Sequence, residues 1–130
     1  MKILSIAVPC YNSEAYMEKC IDSLLVGGEE VEILIVDDGS KDGTTEIADR
    51  YQEKYPTIVK AIHQENKGHG GALNTGGAAA VGKYLKVIDA DDWVETENLP
   101  EFIRLLESCE SDVVLTHHYT IDVGTGEVKM

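Results

Sequence analysis

The stretch Tyr84-Leu85-Lys86-Val87-Ile88-Asp89-Ala90-Asp91-Asp92-Trp93 sets how the rest of the chain is read. An apolar run of strand length ends abruptly in three carboxylates within four residues. Like charges this close repel, and a fold keeps them together only where something positive sits between them. A divalent cation is the simplest such partner. Magnesium is typically held by one or two carboxylates plus the phosphates of a substrate. If the pleat of the strand continues, Asp89 and Asp91 face one side and Ala90 the other. The competing reading is a polar strand exit with solvated acids, and an isolated Asp-x-Asp is too short to separate the two.

The flanking sequence repeats the same plan. Residues 2–8 form a short apolar run that reads as a buried strand, stopped by Pro9. Asn12 or Ser13 is placed to cap the helix that follows, with Glu14 in its first turn. Met17, Cys20, Ile21, Leu24 and Leu25 fall on one stripe of that helix, and Gly27-Gly28 ends it. Residues 31–36 are a second strand, running into Asp37-Asp38-Gly39-Ser40-Lys41-Asp42-Gly43-Thr44. Asp42 or Thr44 caps the next helix, whose apolar side is Ile47, Ala48, Tyr51 and Tyr55. A third strand, residues 58–63, leads into Gln64-Glu65-Asn66-Lys67-Gly68-His69-Gly70-Gly71, a Gly-rich loop opening a helix of small residues from 72 to 81. Each glycine in that helix costs up to about 1 kcal/mol against alanine. Either the helix packs closely on the sheet, or a ligand approaches its anion-favouring N-terminus. After the fourth strand, Asn98 caps a helix with Pro100 early and Phe102, Ile103, Leu105, Leu106 and Cys109 inward. Residues 113–119 read as a fifth strand, with a turn at Gly124-Thr125-Gly126 and a partner beginning at 127.

Four strand–helix alternations predict an α/β fold: a Rossmann-like, mostly parallel sheet with helices on both faces, in one domain over 1–130. Right-handed crossovers bring the C-terminal ends of all four strands to one edge. Residues 9–12, 37–40, 66–69 and 89–92 then share a rim, where ligands of such sheets bind at the point of strand-order reversal. A strand order of 3-2-1-4 puts that point between the first and fourth strands, hence between Tyr11 and Asp89.

Composition narrows the partners. The net charge of -13, from 11 basic and 24 acidic residues, argues against nucleic acid or an anionic membrane. Cys10, Cys20 and Cys109 fit neither a zinc cluster nor a disulfide framework. Cys20 and Cys109 read as buried thiols, and Cys10 after Pro9 is a candidate nucleophile without a base nearby in sequence. A reduced, cytoplasmic setting is expected, the cytoplasmic face of a membrane being the alternative for a full-length protein. No segment reads as a signal peptide, and no apolar run approaches the roughly 20 residues that span a bilayer.

Taken together, Pro9-x-Tyr11-Asn12, Val36-Asp37-Asp38-Gly39-Ser40 with Asp42-Gly43-Thr44, Asn66-x-Gly68 with Asn74-x-Gly76, and Asp89-x-Asp91-Asp92 resemble the family 2 glycosyltransferases in order and spacing. The resemblance covers residues 3 to about 95. It implies a GT-A fold, a nucleotide-diphosphate-sugar donor (most often a UDP-sugar), a Mg2+ or Mn2+ ion, and inverting transfer to a saccharide or lipid-linked acceptor. Carried onto this chain, it puts Pro9 and Tyr11 beside the nucleobase, with Asn12 in the same motif. Asp37 or Asp38 would accept from base or ribose, Asn66 would hold the nucleotide, Asp89 would lie near ribose and metal, and Asp91 would be the firmest metal contact. The family often has Arg where this chain has Leu73; Lys67 or His69 is the substitute positive charge. The family's catalytic base lies past the Asp-x-Asp, and residues 1–130 offer no firm candidate, His117-His118 reading as structural. A piece stopping before the acceptor-binding half is expected to transfer weakly or not at all alone and to self-associate through uncovered apolar surface. The competing functions are a nucleotidyltransferase, disfavoured because the loop after the first strand has no cation, and a non-catalytic nucleotide-binding or assembly module.

Overall fold

The computed structural model describes residues 2–93, 99–108, 120–121 and 128–129. Four parallel strands form the sheet: β1 (Leu4–Cys10), β2 (Val31–Asp38), β3 (Val59–Gln64) and β4 (Tyr84–Val87), in the order β3-β2-β1-β4. Four helices join or follow them: α1 (Met17–Leu25), α2 (Thr44–Lys54), α3 (Gly68–Ala79) and α4 (Leu99–Ser108). A short antiparallel pair, β5 (Thr120–Ile121) and β6 (Val128–Lys129), lies further on. The expected sheet order is the observed one. The expected cap at Asn98, Cys109, the strand over 113–119, the His117-His118 pair and the turn at 124–126 fall outside the described residues.

The two sheet faces differ because strand side chains alternate. Leu4, Ile6, Val8 and Cys10 of β1, with Val31, Ile33 and Ile35 of β2, face a core shared with Met17, Cys20, Ile21 and Leu24 of α1, Ala48 of α2, and Leu99, Ile103 and Leu106 of α4. Each of these is buried, and the central strands β1 and β2 are buried almost throughout, as in a sheet covered on both sides. Among the described residues, the opposite face carries α3. Gly76 of α3 sits where an added Cβ would come within 2.8 Å of Ala7 Cβ, so this helix reaches the sheet only because its contact residue has no side chain. One helix does not cover the whole face: on β4, Leu85 is 50% exposed and Val87 41%.

The far end of the sheet is closed by polar contacts. Glu32 is buried at the start of β2 and accepts from Ser5 Oγ at 2.8 Å, Val81 N–H at 3.0 Å and Lys60 Nζ at 2.8 Å. These donors offset the cost of burying the carboxylate.

Several local expectations give way. Asn12 and Ser13 do not cap α1, which starts at Met17 with Tyr16 in the cap position and no side-chain cap. Their side chains are taken elsewhere: Lys41 N–H donates to Asn12 Oδ1 (2.8 Å), and Ser13 Oγ accepts Tyr11 N–H (3.2 Å), while Ser13 N–H donates to Thr44 Oγ1 at the start of α2 (2.7 Å). The helix α3 starts at Gly68, four residues before the expected Ala72, so the Gly-rich segment is its first turn. In α4, Leu105 points outward at 59% exposed, because the buried stripe is Leu99, Ile103 and Leu106 at i, i+4, i+7.

Candidate active site

Four strand ends open into one cavity of about 340 Å³. Pro9, Cys10, Tyr11, Ser13 and Tyr16 line it from β1 and the turn after it, and Asp38 from the end of β2. Asn66, Gly68, His69 and Ala72 come from the β3–α3 junction, and Asp89, Ala90 and Asp91 from the segment after β4. This is the rim expected from the crossovers, with the opening between Tyr11 and Asp89 as strand order predicts.

The acidic segment is a turn and not a pleat. β4 ends at Val87, Ile88 N–H still pairs with Ala7 O (3.0 Å), and Asp92 N–H closes onto Asp89 O at 2.9 Å. Ala90 is buried in the core while Asp89, Asp91 and Asp92 are exposed. One oxygen from each of the three carboxylates lies within 4.8 Å of the others. Alternation on a pleat offered two ligands; the turn gathers a third, Asp92, which sequence reading left out although the run of acids was visible. The turn is anchored to α1: Cys20 Sγ contacts Asp89 O at 3.6 Å, and the Lys19 ammonium lies 3.7 Å from the Trp93 ring centroid. An all-oxygen donor set, open to solvent, suits a hard divalent ion that keeps positions for phosphate oxygens and water. His69, on the first turn of α3, brings Nε2 to 4.0 Å from Asp89 Oδ1.

The acids at the end of β2 are arranged differently. Asp37 and Asp38, adjacent on a strand, point to opposite faces. Asp37 is turned away from the cavity toward α2. Its Oδ1 accepts Ser40 N–H (3.0 Å), and its Oδ2 takes Thr45 Oγ1 (2.5 Å) and His63 Nδ1 (3.0 Å). Asp38 is turned toward α3 and the cavity. Its Oδ1 accepts Gln64 Nε2 (2.9 Å) and Lys67 N–H (2.7 Å), and Gln64 is in turn held by Thr75 Oγ1 at 2.6 Å. Burial alone would raise both carboxyls, but these hydrogen bonds outweigh it and hold both below the ordinary aspartate value. Parallel register explains the arrangement: Asp37 lies opposite His63 and Asp38 opposite Gln64. Neither β3 residue stood out in the sequence, because their importance follows from that register and not from any local pattern.

The structure therefore brings Pro9, Tyr11, Asp38, Asn66, His69, Asp89 and Asp91 to the cavity wall. Asn12, Asp37 and Lys67 stand behind it. Asn12, at φ 49°, braces the β2–α2 loop, and Lys67 contributes its backbone N–H to Asp38. The small residues of α3 divide their roles. Gly76 serves packing, whereas Gly68 (φ +79°) and Gly70 meet no neighbour within 4 Å and leave the first turn bare beside the cavity. Cys10 is buried, and burial, reinforced by Cys20, Asp37 and Asp42, pushes its thiol up to about 12, which disfavours the thiolate a nucleophile needs.

Sequence and structure comparisons agree with this geometry. The model for "Glycosyl transferase family 2" matches residues 5–130. The glycosyltransferase GlyG of Streptococcus pneumoniae is 33% identical over 127 residues, covering 96% of this chain and 42% of that protein. Among solved structures, S. aureus TarS 1-349 in complex with UDP superposes with a TM-score of 0.71 at 30% identity, over 82% of this chain and 32% of that one. The mannosyltransferase PcManGT from Pyrobaculum calidifontis, in complex with GDP-Man and Mn2+, superposes with a TM-score of 0.68 at 28% identity, over 79% of this chain and 32% of that one. The chain thus spans less than half the length of each of these proteins.

Proposed function

The chain belongs to glycosyl transferase family 2 and has the GT-A fold, and from that premise we propose that it is the donor-binding part of an inverting glycosyltransferase that uses a nucleotide-diphosphate sugar, a UDP-sugar first of all. The observation that carries this reading is one cavity with a buried, oriented carboxylate (Asp38) on one side and an exposed carboxylate turn (Asp89, Asp91, Asp92) on the other. The base and ribose lie between Tyr11, Pro9, Asp38 and Asn66. Asp38 spends Oδ1 on Gln64 and Lys67, which fixes the carboxylate plane and presents the other oxygen to a ligand N–H or O–H. The diphosphate lies over the bare first turn of α3 toward the acidic turn, where the helix N-terminus favours anions.

Asp89 and Asp91, with Asp92 beside them, would hold a Mg2+ or Mn2+ ion. Bound there, such an ion supplies charge neutralisation for the departing nucleoside diphosphate. The chain's own residues orient: Asp38 and Asn66 fix the nucleoside, and Tyr11 and Ala72 close the cavity wall around it. An inverting transfer also needs a base for the acceptor hydroxyl. We place that base, and the acceptor site, in the part of such enzymes that this chain does not span, so the chain alone binds donor and transfers weakly or not at all.

Calorimetric titration with UDP, with and without Mn2+, tests this. Binding that requires Mn2+ in the wild type, and that loses this requirement together with most of its affinity in Asp91→Ala, supports the reading. No binding under either condition refutes it, and an intact metal dependence in Asp91→Ala misplaces the metal.

A further inference from the structure

We infer that His63, clamped as an imidazolium between Asp37 and Asp49, is a positioning residue of the nucleotide site. Its Nδ1 lies 3.0 Å from Asp37 Oδ2 and its Nε2 2.7 Å from Asp49 Oδ1. A neutral imidazole has one N–H and one lone pair, so it satisfies only one of two carboxylates; the doubly protonated ring donates to both. The charged groups facing it are Asp37 from β2 and Asp49 from α2. Arg50, the next residue on α2, is directed to Glu18 instead, 3.4 Å away. The other face of β3 meets α3 through Gln64 and Thr75 and brings no charge to the ring. Burial would lower the imidazole's proton affinity, but the bonds to Asp49 and Asp37 outweigh it and raise His63 above the usual histidine value.

The clamp reaches the cavity by contiguous contacts. Asp37 Oδ1 holds Ser40 N–H at 3.0 Å, and Ser40 Oγ accepts Asn12 N–H at 3.0 Å. Lys41 N–H grips Asn12 Oδ1 at 2.8 Å. Asn12 is held in the left-handed region at φ 49°, which sets the direction of the preceding Tyr11 at the cavity wall. When His63 loses its second proton, one carboxylate contact must break. Asp49, 58% exposed, turns to solvent at little cost, whereas Asp37, 3% exposed, keeps the remaining N–H. The middle of α2 then loses one of its ties to β3, the bond from Ala61 N–H to Gln52 Oε1 (2.7 Å) remaining, and the β2–α2 loop at the head of that helix, which braces Asn12, is freer to move.

The inference rests on the nucleotide reading above, and the test separates the two. UDP affinity with Mg2+ is measured from about pH 6.5 to about pH 8.5, across the histidine range, for wild type, His63→Gln and Asp49→Asn. The His63 ring signal is followed by NMR alongside. The ratio of wild-type to His63→Gln affinity cancels the nucleotide's own titration. Wild type is expected to lose about threefold relative to His63→Gln as the pH rises, the scale of one hydrogen bond to a charged group partly transmitted. That loss should follow the His63 signal and move to lower pH in Asp49→Asn, a displacement that loss of structure would not produce. A constant ratio across the range overturns the inference while leaving the nucleotide reading in place. An absence of UDP binding at every pH overturns both.

Discussion

The molecule holds two pairs of carboxylates at one rim and treats them in opposite ways. Asp37 and Asp38, at the end of β2, are buried and held by protein donors from β3, α2 and the loops, Asp37 through both oxygens and Asp38 through Oδ1. Asp89 and Asp91, in the turn after β4, stand exposed beside a third acid, Asp92. Burial with matched donors makes a carboxylate part of the framework; exposure among like charges leaves it suited to a ligand supplied from outside. Chemically identical side chains are thus buried against protein donors or left open to solvent according to which strand end they occupy.

The comparison breaks most visibly on stability. Asp37→Ala leaves Ser40 N–H, Thr45 Oγ1 and His63 without their acceptor, and is expected to cost about 3 kcal/mol in urea unfolding. Asp91→Ala relieves repulsion and should leave the unfolding midpoint unchanged or raised. If both variants unfold alike, the distinction between the pairs fails. Added Mn2+ reverses the ranking. At about 100 times its Kd it should stabilise the wild type by about 2.7 kcal/mol, and Asp91→Ala little, in thermal melts with and without chelator.

A smaller effect sharpens the scaffold side. Gln64→Ala removes one donor from Asp38 Oδ1 and is expected to cost about 1 kcal/mol in stability while also weakening UDP binding. In acid, Asp37, Asp38 and Glu32 share one sign. Their folded carboxyls are held below the ordinary value, so the stability they provide is present above about pH 4 and lost as the pH falls through their lower folded values. His63 has the opposite sign. Its contribution is full below about pH 6.5 and lost as the pH rises through its higher folded value. Denaturation midpoints across pH 2–9 should therefore fall at both ends, and His63→Gln should flatten the alkaline one.

The sequence made the frame readable for a physical reason. Apolar runs ending in Gly, Asp and Asn mark parallel strands whose exits share a rim, and the order β3-β2-β1-β4, which those runs alone do not dictate, is the expected one. What stayed hidden depended on contacts between distant residues. The partners of Asp37 and Asp38 required the β2–β3 register, which sets His63 against one and Gln64 against the other. Asn12 and Ser13 have the local preference of helix caps, yet Lys41 N–H takes the Asn12 side chain and Tyr11 backbone groups take the Ser13 hydroxyl. The α3 start was placed late because glycine disfavours helix, a preference overridden where the turn borders the cavity. Asp92 joins the other two acids because β4 ends at Val87 and the chain turns, which strand alternation carried past that point does not show.

The most direct measurement is a residue-resolved NMR titration of the chain with UDP in the presence of Mg2+. The account predicts that backbone signals of Tyr11, Asp38, Asn66, His69, Asp89 and Asp91 shift together and saturate with one affinity, while those around Glu32 at the far end of the sheet stay still. Shifts confined to other surfaces, or a response at Asp38 without one at Asp89 and Asp91 at saturating UDP, would contradict it.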